Sequence, residues 1–135
     1  MYQKTHTEFF RIRYGETDRM GYAYYGHYAE FFEVARVEFL RKAGLSYKEL
    51  EERGFLLPVY SYNVKFYKPA FYDDVITVEV KLTEVKASRL VFGYKTFNQD
   101  GIQLNEAQTT LVMVSKENGK PTRIPVFFRK LIFGE

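Results

Sequence analysis

The most regular pattern in the chain is a strict alternation of apolar and polar residues just after its midpoint. Ile76, Val78, Val80 and Leu82 are separated by Thr, Glu or Lys residues. A period of two predicts a β-strand with one buried face. Similar runs predict four more strands, at residues 9–14, 60–66, 90–98 and 102–115.

Between about residues 26 and 43 the period changes to that of a helix. Its apolar side would carry Tyr28, Phe31, Phe32, Ala35 and Phe39, and Gly44 supplies a C-terminal stop. Two shorter helical segments are predicted as well. Ser46 would cap the first, which ends near Gly54, and Pro125 would open the second.

The order of elements is therefore a strand, a loop, a long helix and four further strands. Consecutive strands joined by short turns predict an antiparallel meander with the helix packed across one face. The predicted fold class is α+β, with a five-stranded antiparallel sheet and one long central helix in a single domain, residues 1–135. One helix does not cover five strands, so we expect a second copy to hide the remaining sheet surface.

Aromatic residues make up 19% of the chain, with thirteen Phe and twelve Tyr. One small core does not readily absorb so many rings, so some are expected in a pocket or a subunit interface. A homodimer or homotetramer is the predicted assembly.

The charge pattern and the rare residue types exclude several classes of function. The net charge is only +3 and acidic residues lie among the basic ones, so no nucleic-acid partner is expected. The chain has no Cys and only two His, His6 and His27, so neither a disulfide nor a metal site is predicted. No segment has the length of a membrane span and the first residues form no apolar leader, so we expect a cytoplasmic protein.

The loop between the first strand and the long helix, from Tyr14 to Tyr28, has an unusual composition. It holds five tyrosines, whereas a loop that only turns the chain is mainly polar. It also holds Asp18. Composition alone favours a turn or helix-cap role for this residue, and a catalytic carboxylate is the alternative.

Three segments in this region carry a resemblance to a known family: Arg13–Gly21, Tyr24–Tyr28 and Phe32–Arg36. Together with the order of strands, they resemble the hotdog-fold thioesterases, in particular the 4-hydroxybenzoyl-CoA thioesterase type that includes the Tol-Pal-associated acyl-CoA thioesterases. In that fold the five-stranded sheet wraps around the central helix.

The resemblance implies hydrolysis of an acyl-CoA thioester to the free acid and CoA. Asp18 would be the general base or the nucleophile, and the backbone amide of Tyr25, or that of Gly26, would form the oxyanion hole. Many relatives have His where Tyr25 stands, so a histidine-assisted mechanism is not implied. Tyr14 is either a core aromatic or a hydroxyl that orients Asp18, and His27 is a helix-entry residue with catalysis as the alternative.

The same chemistry is reasonable without the resemblance. A thioester carbonyl is electrophilic enough for attack by water with a carboxylate base, or by the carboxylate itself. A helix N-terminus offers unpaired amides and a favourable dipole for the developing oxyanion.

Coenzyme A carries phosphates, so basic residues are expected where its nucleotide lies, with two subunits as contributors. The candidates are in the turn after the third strand and near the C-terminus: Lys86, Ser88, Arg89, Arg123, Arg129 and Lys130. The alternative is that these are solvated surface charges. No cofactor is expected, because coenzyme A belongs to the substrate, and an acyl carrier protein thioester is the alternative substrate.

Two other functions are alternatives to thioester hydrolysis. A non-catalytic hotdog protein would bind acyl-CoA or a partner without turnover. A hotdog hydratase or dehydratase would need a histidine and an acid, and His27 with Glu33 has the right residue types.

Overall fold

The computed structural model describes residues 5–134. The described residues form seven strands: β1 (Thr5–Arg11), β2 (Phe55–Leu56), β3 (Val59–Phe66), β4 (Val75–Lys86), β5 (Arg89–Phe97), β6 (Gln103–Val112) and β7 (Val114–Ser115). The helices are α1 (Tyr28–Ala43), α2 (Tyr47–Glu52) and α3 (Val126–Phe133), with 3₁₀ turns at Tyr14–Glu16 and Tyr25–His27.

The large sheet has five antiparallel strands in the order β1-β4-β5-β6-β3. The predicted α+β class and the five-stranded antiparallel sheet with one long helix are confirmed. The predicted meander is correct only for β4, β5 and β6. β3 lies at the far edge beside β6, and β2 pairs with β7 in a separate two-stranded sheet that the sequence pattern did not predict.

The meander prediction failed because residues 67–74 carry the chain from β3, at one edge of the sheet, to β4, which lies beside β1 at the opposite edge. At the start of the crossing, the amides of Tyr67 and Lys68 donate to the carbonyl of Leu104, near the beginning of β6. At its end, the amide of Ile12 donates to the carbonyl of Asp74, beside β1. Lys68-Pro69-Ala70 was correctly predicted to end β3, but no local pattern reveals where the chain goes next.

The core lies between α1 and one face of the sheet. Every apolar position predicted for α1 is buried, and Gly44 ends the helix in the left-handed conformation. Phe32 packs on Tyr94 with ring centroids 4.6 Å apart, and Phe39 meets Phe92 edge to face at 5.7 Å. Such aromatic pairs add directional packing to the burial of apolar area.

The smaller helices begin as predicted. The Ser46 hydroxyl accepts a hydrogen bond from the amide of Glu49 at 3.1 Å, which caps α2. Pro125 immediately precedes α3, and Phe128 and Ile132 of this helix are buried.

Candidate active site

Asp18 lies in a short hairpin that leads from β1 into the long helix. Thr17 pairs with Ala23 across this hairpin, and the amide of Gly21 donates to the carbonyl of Asp18 at 3.0 Å. Gly21 has a φ of 82°, a value that residues with a Cβ rarely adopt. The hairpin therefore fixes the backbone of Asp18 through a turn that needs this glycine.

The two oxygens of the Asp18 carboxylate have different surroundings. Oδ1 accepts hydrogen bonds from the amides of Met20, at 2.9 Å, and Tyr22, at 3.2 Å. Oδ2 accepts none from the part of the chain that the structure describes. The turn role considered from the sequence is thus present, and it leaves one oxygen of this half-buried residue available to a ligand.

The hairpin rests on the crossing segment, residues 67–74. The amide of Ala23 donates to the carbonyl of Ala70 at 2.8 Å, and Tyr22 pairs with Phe71, their rings 5.6 Å apart. The crossing segment, which breaks the predicted meander, thus packs against the hairpin that carries Asp18.

Glu16 anchors the other side of the hairpin, a role that the sequence analysis missed. Its buried carboxylate accepts a hydrogen bond from the amide of Arg13 at 2.8 Å. Its carbonyl accepts one from the amide of Tyr24 at 2.7 Å. Glu16 therefore holds the start of the loop against the helix entry.

The helix entry offers two unpaired backbone donors. The 3₁₀ turn at Tyr25–His27 runs directly into α1, and within residues 5–134 the amides of Tyr25 and Gly26 donate no hydrogen bond. The next amide, that of His27, donates to the carbonyl of Tyr24 at 3.0 Å. The two free N–H groups lie at the positive end of the helix dipole, which favours a negatively charged oxygen there.

Tyr24 is a second residue for which the sequence analysis found no role. The adjacent Tyr25 phenol raises the pKa of Tyr24, and the negative charge of Asp18 adds to the rise. The Tyr24 ring also lies against Gly26, where an added Cβ would come within 2.5 Å of Cε2. The signal in the sequence that could have identified Tyr24 was the pair Tyr24-Tyr25 directly before Gly26.

Tyr14 and His27 lie near this region without a hydrogen bond to Asp18. The interpretation of Tyr14 as a core aromatic is wrong, because β1 ends at Arg11 and the Tyr14 side chain is 79% exposed. Its ring meets Tyr72 edge to face at 5.9 Å. The Nδ1 atom of His27 lies 3.0 Å from Oε1 of Glu30, as the helix-entry interpretation expects.

The predicted phosphate-binding residues gather at the other end of the protomer. The amide of Met113 donates to the carbonyl of Ser88, and that of Ile124 donates to Ala87, which brings residues 86–89 next to Arg123. The Arg89 guanidinium lies 5.3 Å from the centre of the Tyr60 ring. Tyr60, Ser88 and Arg89 line a groove of about 420 Å³.

Arg129 and Lys130 lie on α3, which packs near the C-terminal end of α1, where Leu131 approaches Gly44. β4 starts beside the Asp18 hairpin and ends at Lys86, and its twelve residues span about 36 Å at roughly 3.3 Å per residue. Within one protomer, the basic candidates therefore do not lie beside Asp18.

Residues 5–134 contain neither a metal-binding cluster nor a membrane-spanning helix. No group of three or more His, Asp or Glu side chains there is placed to hold a metal ion. No helix in this part of the chain is long and apolar enough to cross a membrane.

Comparison with known proteins identifies the family. The model of the thioesterase-like superfamily matches residues 12–132. The chain is 32% identical over 119 residues to the putative acyl-CoA thioesterase YneP of Bacillus subtilis, covering 88% of this chain and 83% of that protein. It is 32% identical over 115 residues to the acyl-CoA thioester hydrolase YbgC of Escherichia coli O157:H7, covering 85% and 86% of the two chains.

Solved structures show the same fold. The crystal structure of DHNA-CoA thioesterase from Staphylococcus aureus has a TM-score of 0.85 and 34% identity, over 88% of this chain and 80% of that one. A 4-hydroxybenzoyl-CoA thioesterase mutant in complex with 4-hydroxybenzoyl-CoA has a TM-score of 0.88 over 96% and 99% of the two chains, and at 23% identity it supports the fold alone. The chain therefore belongs to the thioesterase-like superfamily, and the hotdog fold and the thioester hydrolase class predicted from its sequence are confirmed.

Proposed function

We propose that this protein hydrolyses acyl-CoA thioesters, with Asp18 as the catalytic carboxylate and the amides of Tyr25 and Gly26 as the oxyanion hole. One observation carries the proposal. The hairpin that fixes one oxygen of Asp18 and leaves the other free leads directly into the 3₁₀ turn before α1, whose first two amides, those of Tyr25 and Gly26, are unpaired within residues 5–134.

In this mechanism the carbonyl oxygen of the thioester accepts hydrogen bonds from the two free amides. Oδ2 of Asp18 then either removes a proton from an attacking water molecule or attacks the carbonyl carbon itself. The C–S bond breaks and coenzyme A leaves as a thiolate that takes up a proton. In the first case the free acid is formed directly; in the second, water hydrolyses the mixed anhydride between the acyl group and Asp18, which releases the acid and restores the carboxylate. Each well-placed oxyanion donor contributes a factor of roughly 100 to 1,000 in rate.

The substrate class rests on the relatives. Curated relatives that share 32% of their aligned residues with this chain are named acyl-CoA thioesterases or thioester hydrolases. We therefore take coenzyme A rather than an acyl carrier protein as the carrier, and no cofactor beyond the substrate. We also place the protein in the cytoplasm, where acyl-CoA compounds are available.

A homodimer or homotetramer completes the proposal. The edge strand β3 presents exposed rings and an unpaired backbone edge, with Val59, Tyr60, Tyr62 and Phe66 each more than 40% exposed. A second copy beside this edge would bury them. It would also let the basic residues of one protomer, at the end remote from its own Asp18, hold the CoA phosphates of a thioester bound by the other.

The first test measures release of free thiol from a panel of aromatic, short and long acyl-CoAs. Asp18→Asn keeps the size of the side chain and an oxygen for the two amides, so we expect intact folding and a loss of at least roughly 100-fold in kcat. Asp100→Asn, a change at an exposed turn, is the matched control and should retain native turnover. An Asp18→Asn variant as fast as the native protein would refute the mechanism. Tight binding of acyl-CoA with no turnover by the native protein would favour the non-catalytic alternative.

The phosphate site is tested separately with Arg89→Gln. We expect a higher KM for acyl-CoA and a nearly unchanged kcat, because Arg89 would hold only the nucleotide. The same acyl group on N-acetylcysteamine, which lacks the nucleotide, is the control substrate and should show no difference between variant and native protein. An unchanged KM for acyl-CoA would show that Arg89 does not bind the CoA phosphates.

A further inference from the structure

Arg36 on α1 carries a buried charge that nothing in the described chain neutralises. Its residue exposure is only 7%, and no carboxylate in residues 5–134 lies within ion-pair distance of it. One guanidinium nitrogen donates to the Tyr94 hydroxyl at 3.4 Å, and Nε has no partner. A buried cation without a counter-charge is costly, so a ligand that supplies the charge would bind favourably.

The hydroxyls of Tyr94 and Tyr47 face the Arg36 guanidinium and offer it oxygens but no negative charge. The Tyr94 and Thr109 hydroxyls are 2.6 Å apart, and a guanidinium can only donate. Whichever hydroxyl donates to the other, one hydroxyl hydrogen of the pair is left without an acceptor. Burial raises the pKa of Tyr94, of Tyr47 and of Tyr62, so none of these phenols supplies a negative charge near neutral pH.

A pocket of about 240 Å³ opens onto this cluster. It is lined by Ala29, Phe32, Arg36, Val59, Tyr62 and Thr109. The walls are mostly apolar, and the side chain of Arg36, with its unpaired Nε, and the Thr109 hydroxyl supply its polar part. Such a pocket suits a short apolar chain that ends in a hydrogen-bond acceptor.

The position of the pocket connects it to the proposed oxyanion hole. Ala29, Phe32 and Arg36 follow one face of α1, starting one turn after the free amides of Tyr25 and Gly26. Arg36 is ten residues beyond Gly26, which is about 15 Å along the helix axis, and helix side chains lean back toward the N-terminus. An acyl group whose carbonyl lies at the amides can extend along this face toward Arg36.

We propose that the pocket binds the distal end of the acyl group and that Arg36 and Thr109 hold a carboxylate there, so that the preferred substrates are CoA thioesters of dicarboxylic acids. The inference rests on the proposed thioesterase function and adds the class of acyl group. A carboxylate is acceptor-only and negatively charged, which matches a set of unpaired donors around one cation. The methylene chain of a dicarboxylic acid matches the apolar walls.

The test compares kcat/KM for pairs of CoA thioesters that differ only in the distal group: adipoyl against hexanoyl, and suberoyl against octanoyl. In the native protein we expect the dicarboxylic member to be favoured by at least about tenfold, the lower range for one charge-assisted hydrogen bond. Arg36→Gln and Thr109→Val should each reduce that preference and affect the monocarboxylic substrates much less. Arg41→Gln, an exposed arginine on the same helix that pairs with Glu38, should keep it.

The outcomes separate this inference from the proposed function. If the native protein hydrolyses hexanoyl-CoA as well as adipoyl-CoA, the carboxylate site is refuted and the thioesterase proposal stands. If the native protein hydrolyses no acyl-CoA, the thioesterase proposal fails and a binding measurement tests the carboxylate site. Adipate, but not hexanoate, should then raise the Tm of the native protein. The rise should be smaller in Thr109→Val. No rise with adipate overturns the site. The comparison of dicarboxylic with monocarboxylic substrates uses the native protein, so it tests the proposal even if Arg36→Gln does not fold.

Discussion

Asp18 and Tyr22 are joined by two hydrogen bonds that run in opposite directions. The amide of Asp18 donates to the carbonyl of Tyr22 at 2.9 Å, and the amide of Tyr22 donates to Oδ1 of Asp18 at 3.2 Å. The position of the proposed catalytic carboxylate therefore depends on the geometry of the turn between them. That turn contains Gly21.

Gly21→Ala should lower activity more than stability. No atom lies within 4 Å of the added Cβ, so the cost comes from the φ of 82° and amounts to about 1 to 2 kcal/mol. A turn that relaxes from this strain moves Oδ1 away from its two amides, and we expect kcat to fall by roughly tenfold or more. Thiol release and thermal unfolding measure the two effects.

Gly15→Ala is the matched control for this change. Gly15 lies in the same loop with equally open space around its added Cβ, but its φ is not positive. We expect near-native activity and stability. Equal losses in the two variants would show that the loop tolerates no added methyl group, and the turn at Gly21 would then have no special role.

Gly26→Ala tests the contact between the helix entry and Tyr24. Its Cβ would come within 2.5 Å of Cε2 of Tyr24, so the ring must move while the Gly26 amide remains. We expect reduced kcat with little loss of stability, because Ala is favoured over Gly in a helix. Adding Tyr24→Ala removes the obstruction. If the double variant is more active than Gly26→Ala alone, the clash with the Tyr24 ring causes the loss of activity. If the double variant is less active still, the clash is not the cause of that loss.

The strands, the central helix and its buried face were predictable because each follows a local period. Ile76, Val78 and Val80 are all fully buried, as their alternation predicted. Asp18 and the helix entry were found through the resemblance of contiguous segments. In each of these cases the signal lies within a few neighbouring residues.

The features that were not predicted depend on distant parts of the chain. The place of β3 beside β6 is fixed by pairs such as Val64 with Ala107, which no local pattern encodes. The sequence analysis gave Arg36 no role of its own, and its burial next to the Tyr94 hydroxyl, without a counter-charge, is visible only in the folded chain. Long-range pairing and the satisfaction of buried donors are properties of the folded chain.

Phe128→Ala should show how strongly α3 contributes to the fold. The Phe128 side chain is fully buried, and removing it leaves a cavity whose typical cost is about 3 to 5 kcal/mol. Val126→Ala on the same helix is the control, because Val126 is 68% exposed and its loss should cost well under about 1 kcal/mol. Denaturant unfolding compares the two. Similar midpoints for both variants would mean that α3 is not part of the cooperative core.

Tyr28→Phe should make stability less sensitive to alkaline pH. Burial, and then the negative charge of Asp74, raise the pKa of Tyr28 from 10.0 to about 12. The neutral phenol is therefore favoured in the folded protein, and its contribution is fully present below pH 10. Between pH 10 and about 12 the unfolded chain loses this proton while the folded protein keeps it, so the free energy of unfolding falls by up to roughly 2 to 3 kcal/mol.

Phenylalanine cannot ionise, so denaturant unfolding of Tyr28→Phe across that interval should show a shallower decline than the native protein. Other buried tyrosines, such as Tyr94, still ionise in the variant, so a residual slope is expected. Tyr14→Phe, which removes a phenol from the surface of the protein, is the matched control. If Tyr28→Phe declines as steeply as the native protein, the Tyr28 phenol does not stabilise the fold through its protonated form.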